Sequence, residues 1–434
     1  MIKKIAHIRK ILLEGSRYKK NLIHGALANA FTQAVPLLVL PILTRLYVPD
    51  DFGTLSIYVA IISILGSVAT FRMDWFVSAT RNRFRAAVGL ALGLALLICV
   101  LLASIVMGAL FLLSSPASNT GIFSAIRPVA WLIPIGVAGY SLFSLTSAWY
   151  VRQARIRALS SSRMIQGVIG AAVGIALGFA GAGAVGLVGG SIANTSAGVV
   201  KLFRDASSEL FSAATRIRSG YIKKVAAANA RHMAFSGGSS VINSMGLFLP
   251  TLMFGLFFSA HEVGLLALAQ KIAIAPTSAI STAIYQSFWG EAAQAKHSQR
   301  NDLQNTFKRT SLLLFTLSAP LFLFCLAGPL FMGMVFGGKA WGSTGSLLAA
   351  LAPSVATQLV ASTLSPVITM SGGASWVFFW DCARTAVVAL SVIFFAFSGA
   401  SFLITVIAYS AVMAAMYIVL YFKAKRIVAE HFAL

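Results

Sequence analysis

Residues 81–113 read RNRFRAAVGLALGLALLICVLLASIVMGALFLL: Arg81, Arg83 and Arg85, then 28 residues without one charge. Wound as an α-helix at 1.5 Å per residue, that run spans about 42 Å. It exceeds the ~30 Å hydrocarbon core of a bilayer. The pattern recurs along the chain, with apolar runs near 22–44, 53–71, 86–113, 129–150, 164–183, 184–203, 233–258, 263–288, 311–337, 345–370, 376–397 and 402–422. Inside a bilayer every backbone polar group must be satisfied within the segment, so such runs are helices. The predicted fold class is an all-α integral membrane protein of twelve transmembrane helices.

The basic residues predict the topology. Of 34 Lys and Arg residues, 29 fall in the two tails and every second gap between runs, counting Lys201 at the edge of one such gap, and three in the remaining gaps. Lys271 and Arg384 lie inside runs. Basic loops stay cytoplasmic, so both termini are expected inside. The expected division is a cytoplasmic tail (1–21), an N-lobe of six spans (22–203), a basic cytoplasmic linker (204–232), a C-lobe of six spans (233–422) and a cytoplasmic C-terminal tail (423–434). The first tail carries seven Lys and Arg, with Ile5, Ile8 and Leu12 on one helical face. It reads as an amphipathic segment on the inner leaflet, not as a cleaved signal peptide.

The chain is 58% hydrophobic and 10% charged, against about a quarter charged in soluble domains. The net charge of +23 sits at the ends of the apolar runs, where it orients the protein and meets anionic headgroups. No nucleic-acid partner is expected. The three cysteines lie in apolar runs and the six histidines are scattered. That excludes a disulfide framework and predicts no metal site. No catalytic constellation, phosphate-binding loop or dinucleotide fingerprint is present, so no enzyme and no cofactor are expected.

The halves resemble each other. Leu40-Pro41 is followed by Asp51-Phe52-Gly53-Thr54-Leu55, and Leu249-Pro250 by Glu262-Val263-Gly264-Leu265-Leu266. With an even number of spans per half, the copies are parallel repeats about an axis along the membrane normal, an arrangement that places a central site between lobes. Pro41, Pro250 and Pro276 are candidate bends. Gly170, Gly174 and Gly178 form a small face in the fifth run, suited to close helix packing.

Charges within spans are costly and are functional candidates by default. Lys271, about nine residues into the eighth run, is the clearest; its alternative role is a partner for Glu262. Asp381 and Arg384, spaced i and i+3, can pair on one face; Arg384 alternatively snorkels as its loop's positive residue, and Asp381 is a candidate ion-coupling carboxylate. Arg72 and Asp74 end the second span, as cavity and charge-pair candidates or as interfacial anchors. Asp50 and Asp51 are expected to cap the second helix. Asn29, Gln33 and Asn243 either line a cavity or hold helices together.

The segment Leu40-Pro41-Ile42-Leu43-Thr44-Arg45-Leu46-Tyr47-Val48-Pro49-Asp50-Asp51-Phe52-Gly53 resembles the opening signature of bacterial polysaccharide repeat-unit flippases, the O-antigen (Wzx-type) branch of the MOP transporter superfamily. Phe71-Arg72-Met73-Asp74 resembles that family's motif at the end of the second span. Ala269-Gln270-Lys271-Ile272 with Pro276, and Gln286-Ser287-Phe288-Trp289-Gly290-Glu291-Ala292, resemble its eighth span and the loop beyond, with Gly290 where Pro is common. The resemblance implies two six-helix lobes in a V around a central cavity, in a bacterial inner membrane. It implies movement of an undecaprenyl-diphosphate-linked oligosaccharide from the cytoplasmic to the periplasmic leaflet, coupled to H⁺ or Na⁺. It makes Glu291 a further charge-pair candidate, and membrane lipids, a polysaccharide polymerase and chain-length machinery the expected partners. The alternative is a cation-coupled multidrug or small-solute antiporter of the same superfamily. A membrane polymerase or ligase is disfavoured, because the largest extracytoplasmic loop (114–128) carries Arg127 and no carboxylate.

Overall fold

Helices account for all the regular structure among the described residues, which are Val35, 37–80, 82–113, 121–214, 219–295 and 301–431 of the computed structural model. Eleven stretches there are long and apolar enough to cross a membrane. The expected first span, 22–44, falls mostly outside the described residues; its end lies in the short apolar helix α1 (Leu37–Leu46). The tail 1–21 also lies outside them.

The N-lobe continues with α2 (Pro49–Thr70), α3 (Met73–Ala79), α4 (Arg83–Leu113), α5 (Ile122–Ile126), α6 (Ile133–Arg152), α7 (Ile156–Phe179) and α8 (Gly183–Ala214). The C-lobe holds α9 (Ser219–Phe257), α10 (Ala260–Ala295), α11 (Asn301–Leu326), α12 (Gly328–Val335), α13 (Thr344–Leu364), α14 (Pro366–Met370), α15 (Ala374–Phe397) and α16 (Phe402–His431). Much of the expected linker is not loop at all: α8 runs on to Ala214 and α9 starts at Ser219, so two spans extend beyond the apolar runs.

The repeat is visible in detail. In each lobe a short helix and a 3₁₀ turn precede the fourth span: α5 and Arg127–Leu132 before α6, then α12 and Gly338–Trp341 before α13. The helix starts match as well. Asp51 accepts a hydrogen bond from the Val48 N–H at 3.2 Å, and Glu262 accepts from the Ser259 N–H at 3.1 Å and its hydroxyl at 2.9 Å. In both repeats a carboxylate three residues into the helix satisfies an orphan donor at its N-cap.

Glycine sets the packing distance within the N-lobe. A Cβ on Gly170 would sit 3.0 Å from the Gly190 carbonyl oxygen, and one on Gly190 3.0 Å from the Gly170 oxygen. These two glycines bring α7 and α8 into backbone contact. Tyr47 reaches the same hairpin, its hydroxyl donating to the Gly174 carbonyl at 2.7 Å. In the C-lobe α13 is central, packing on α10, α11 and α16.

The lobes meet along α2, which packs on both α9 and α10. The fully buried Trp341 crosses from the C-lobe, donating from Nε1 to the Thr44 carbonyl at 2.9 Å and standing edge-on to Phe52 at 5.0 Å. Beside it, Asp50 accepts from or pairs with His261 at 3.1 Å, both exposed. These contacts lie at the ends of the spans with few basic residues.

Candidate functional site: the inter-lobe cavity

Two adjoining cavities, about 420 Å³ and 310 Å³, share Leu40, Phe52, Leu55, Val59 and Lys271. Each is within the size range of ligand sites. The larger is completed from the C-lobe by Phe248, Thr251, Gln270 and Ser278. The smaller extends into the N-lobe, along Gly170, Gly174, Ser191 and Asn194. Lys271 stands where they join, on α10, which packs along α2.

Its position follows from α10. Lys271 lies eleven residues beyond Ala260, about 16 Å along the helix. Val263, Leu265, Leu266, Leu268, Ala269, Ile272 and Ala273 are buried and hold the helix in place, which leaves Lys271 on the face open to the cavity. The ammonium lies 5.9 Å from the centre of the Phe52 ring, a distance at which the ring face attracts a cation. Glu262 is occupied capping α10, and among the described residues no carboxylate lies within ion-pairing distance of Lys271. A cation in an apolar surround is costly until an anion joins it. Helix α10 stays helical through Pro276. Just beyond, Thr277 and Ser278 donate back to the carbonyls of Ala273 and Ala275 at 2.7 and 2.9 Å, a pattern that bends helices.

The other candidates separate. Arg384 neither snorkels nor lines these cavities. It is 4% exposed inside the C-lobe. Its Nη2 is 3.0 Å from an Asp381 oxygen, and its guanidinium lies 4.8 Å from the Trp380 ring centre. Helix α9 passes so close that a Cβ on Gly246 would be 2.7 Å from Nη2. Asp381 is thus committed to Arg384.

Arg72 and Asp74 lie at the far end of α2, away from the cavities. Phe71 and Arg72 both take positive φ, 39° and 63°, at the break between α2 and α3; such conformations strain non-glycine residues. Gly237 of α9 lies against the Phe71 ring. Asp74 accepts from the Ser144 hydroxyl of α6 at 2.9 Å and so ties α3 to that helix.

Asn243 is exposed on α9 and is not among the cavity walls. Asn29 and Gln33 fall outside the described residues. Glu291 belongs to α10, but its side chain also lies outside them. Pro41 is within α1, and α9 stays helical through Pro250.

Sequence reasoning missed Asn194, Ser191, Thr251, Ser278 and Gln270 as lining groups. Gln270 stands beside Lys271, and Asn194 lies four residues after Gly190. Their polarity within apolar runs was the available signal.

A two-lobed, multi-pass α-helical membrane protein is the class this architecture defines. The chain aligns with a MATE-family multidrug resistance transporter of the MOP superfamily, in its inward-facing conformation, at 14% identity and TM-score 0.63, over 93% of this chain and 94% of that one. It aligns with the lipid II flippase MurJ, in an inward closed conformation, at 12% identity and TM-score 0.64, over 95% and 91%. A MOP superfamily transporter from Pyrococcus furiosus aligns at 13% identity and TM-score 0.57, over 95% and 96%. These establish the V-shaped, two-lobed fold. A search of curated protein sequences finds no match. Residues 42–345 match the family described as polysaccharide biosynthesis protein, and the chain belongs to that family.

Proposed function

We propose that this protein is a flippase, carrying an undecaprenyl-diphosphate-linked oligosaccharide repeat unit from the cytoplasmic to the periplasmic leaflet of a bacterial inner membrane. The observation that carries this reading is Lys271: a cation without a partner carboxylate among the described residues, at the junction of cavities contributed by both lobes. A diphosphate and its sugars cannot enter hydrocarbon, whereas a prenyl tail can remain there. Lys271 would replace the hydration the diphosphate loses, and Gln270, Asn194, Thr251 and Ser278 would meet sugar hydroxyls. The polysaccharide biosynthesis family supports the substrate class.

Alternating access of the lobes would expose the cavity to each leaflet in turn, driven by an H⁺ or Na⁺ gradient. Both termini would face the cytoplasm, as the distribution of Lys and Arg implies. A polymerase with its chain-length machinery would receive the product. The chain would perform no covalent chemistry itself.

A cationic-drug antiporter would need an anionic pocket. The described walls of these cavities contain no Asp or Glu. The test is deletion of the gene, followed by lipid extraction and glycan analysis. Build-up of the prenyl-diphosphate oligosaccharide on the cytoplasmic side, with loss of surface polymer, is expected. Unchanged lipid-linked glycan and unchanged polymer would overturn the proposal in favour of a soluble-substrate antiporter.

A further inference from the structure

A separate groove of about 480 Å³ lies between α11 and α16, and no residue lining it belongs to the inter-lobe cavities. Its chemistry is graded along the helices. Lys308, near the start of α11, and Lys425, near the end of α16, stand at the rim, both exposed. One turn deeper on α11 comes Ser311, and one turn deeper on α16 comes Tyr421. The floor is apolar, with Phe307, Leu312 and Phe315. Gln304 closes one end, donating to the Val428 carbonyl at 3.5 Å.

Ser311 is the unusual member. It is 6% exposed, and its hydroxyl has no hydrogen-bond partner among the described residues. Thr316 and Ser318 on the same helix bond back to the carbonyls of Leu313 and Phe315 at 2.8 and 2.9 Å. A buried hydroxyl without a partner is costly, and this one lines the groove. Neither Lys308 nor Lys425 has an ion-pair partner among the described residues. Beyond the groove both helices expose apolar side chains, among them Leu323 and Phe324 on α11 and Val419 and Phe422 on α16, as a lipid-facing wall does.

We propose that this groove is a binding site for an anionic glycerophospholipid. The two lysines take the phosphate, Ser311 donates to a phosphate or ester oxygen beneath it, and the acyl chains lie along Leu312, Phe315 and Tyr421. The order of groups, charge at the rim, hydroxyl below, hydrocarbon beyond, is that of the lipid itself. Basic pockets between transmembrane helices hold lipid headgroups in this manner. A lone phosphodiester with two tails fits a lipid-facing groove on one lobe. The site is independent of the transport proposal.

The experiment uses the full-length protein, purified and delipidated in detergent, with thermal unfolding followed during titration. Phosphatidylglycerol is expected to raise the Tm and phosphatidylcholine not to. At about fivefold in affinity for each lysine, Lys308→Gln/Lys425→Gln should bind phosphatidylglycerol roughly 25-fold more weakly. Lys308→Arg/Lys425→Arg should retain binding. Should the double glutamine variant fail to fold, Lys308→Gln alone reads the same effect at about fivefold. Equal responses in parent and glutamine variants would overturn the proposal. So would a matching response to phosphatidylcholine or to inorganic phosphate, the latter showing a free-anion site. Displacement of phosphatidylglycerol by a far lower concentration of prenyl diphosphate would reassign the groove to the transported lipid.

Discussion

Gly53 of α2 and Gly264 of α10 occupy the same place in the two repeats and face each other's helix across the lobe boundary. A Cβ on Gly53 would run into the Ala260 carbonyl, and one on Gly264 into the Pro49 carbonyl. Backbone cannot rotate aside as a side chain can, so alanine at either position must part the lobes, at a cost of about 1–3 kcal/mol. The check is a Ser56→Cys reporter in the cavity, with Cys99, Cys325 and Cys382 replaced. An impermeant maleimide added from the extracytoplasmic side should label it slowly in the parent and several-fold faster with Gly264→Ala. Equal rates would refute a closure made by this crossing. The neighbouring His261–Asp50 pair is exposed and contributes less than about 1 kcal/mol, so His261→Gln should change labelling little.

Lys271→Ala should abolish or sharply reduce surface polysaccharide while the protein still reaches the membrane at parental levels. A charge-assisted contact contributes about 1.5–3 kcal/mol, or roughly 10- to 100-fold in affinity for the diphosphate. Lys271→Arg keeps the charge and should retain part of the function. Surface polymer assay with parallel immunoblotting reads both. Parental polymer in Lys271→Ala would remove this residue from the mechanism.

How far these features could be read in advance differs by residue. Eleven of the twelve spans, the repeat and the place of Lys271 within its span were legible because each is a local property: run length, spacing, or a charge inside an apolar run. The capping by Asp51 was legible in the same way, whereas Asp50, expected to cap beside it, pairs with His261, and Glu262, expected only as a partner for Lys271, caps α10. Arg384 gave the same signal as Lys271, yet it is buried within one lobe. What separates them is the close passage of α9 at Gly246 and the tryptophan beside Arg384, and neither is local to Arg384. The polar wall of Asn194, Thr251 and Ser278 depends on how each helix is rotated about its axis. The pairing of Asp50 with His261, 211 residues apart, depends on how the repeats cross.

Arg384→Met should destabilise the protein by about 3–5 kcal/mol, because it strands the Asp381 carboxylate in the C-lobe interior. Combining it with Asp381→Leu removes both charges and should recover most of that loss. Thermal unfolding of the purified variants in detergent measures the coupling. A double variant as unstable as the sum of the single ones would show that Asp381 and Arg384 act independently, against the 3.0 Å pair seen between them.

Trp341→Ala should cost about 3–5 kcal/mol, the range for deleting a large buried aromatic, and the loss should fall on the contact between lobes. Trp341 is 1% exposed, packs on Phe52 and bonds to the Thr44 carbonyl, both in the N-lobe. Trp341→Phe retains the ring contact but leaves that carbonyl without its donor, so it should lose a smaller part, about 1–3 kcal/mol. Unfolding measurements give the stability. The Ser56→Cys reporter gives the location: if Trp341 clamps the lobes, Trp341→Ala should speed labelling as Gly264→Ala does. Lower stability with unchanged labelling would confine its role to packing within the C-lobe.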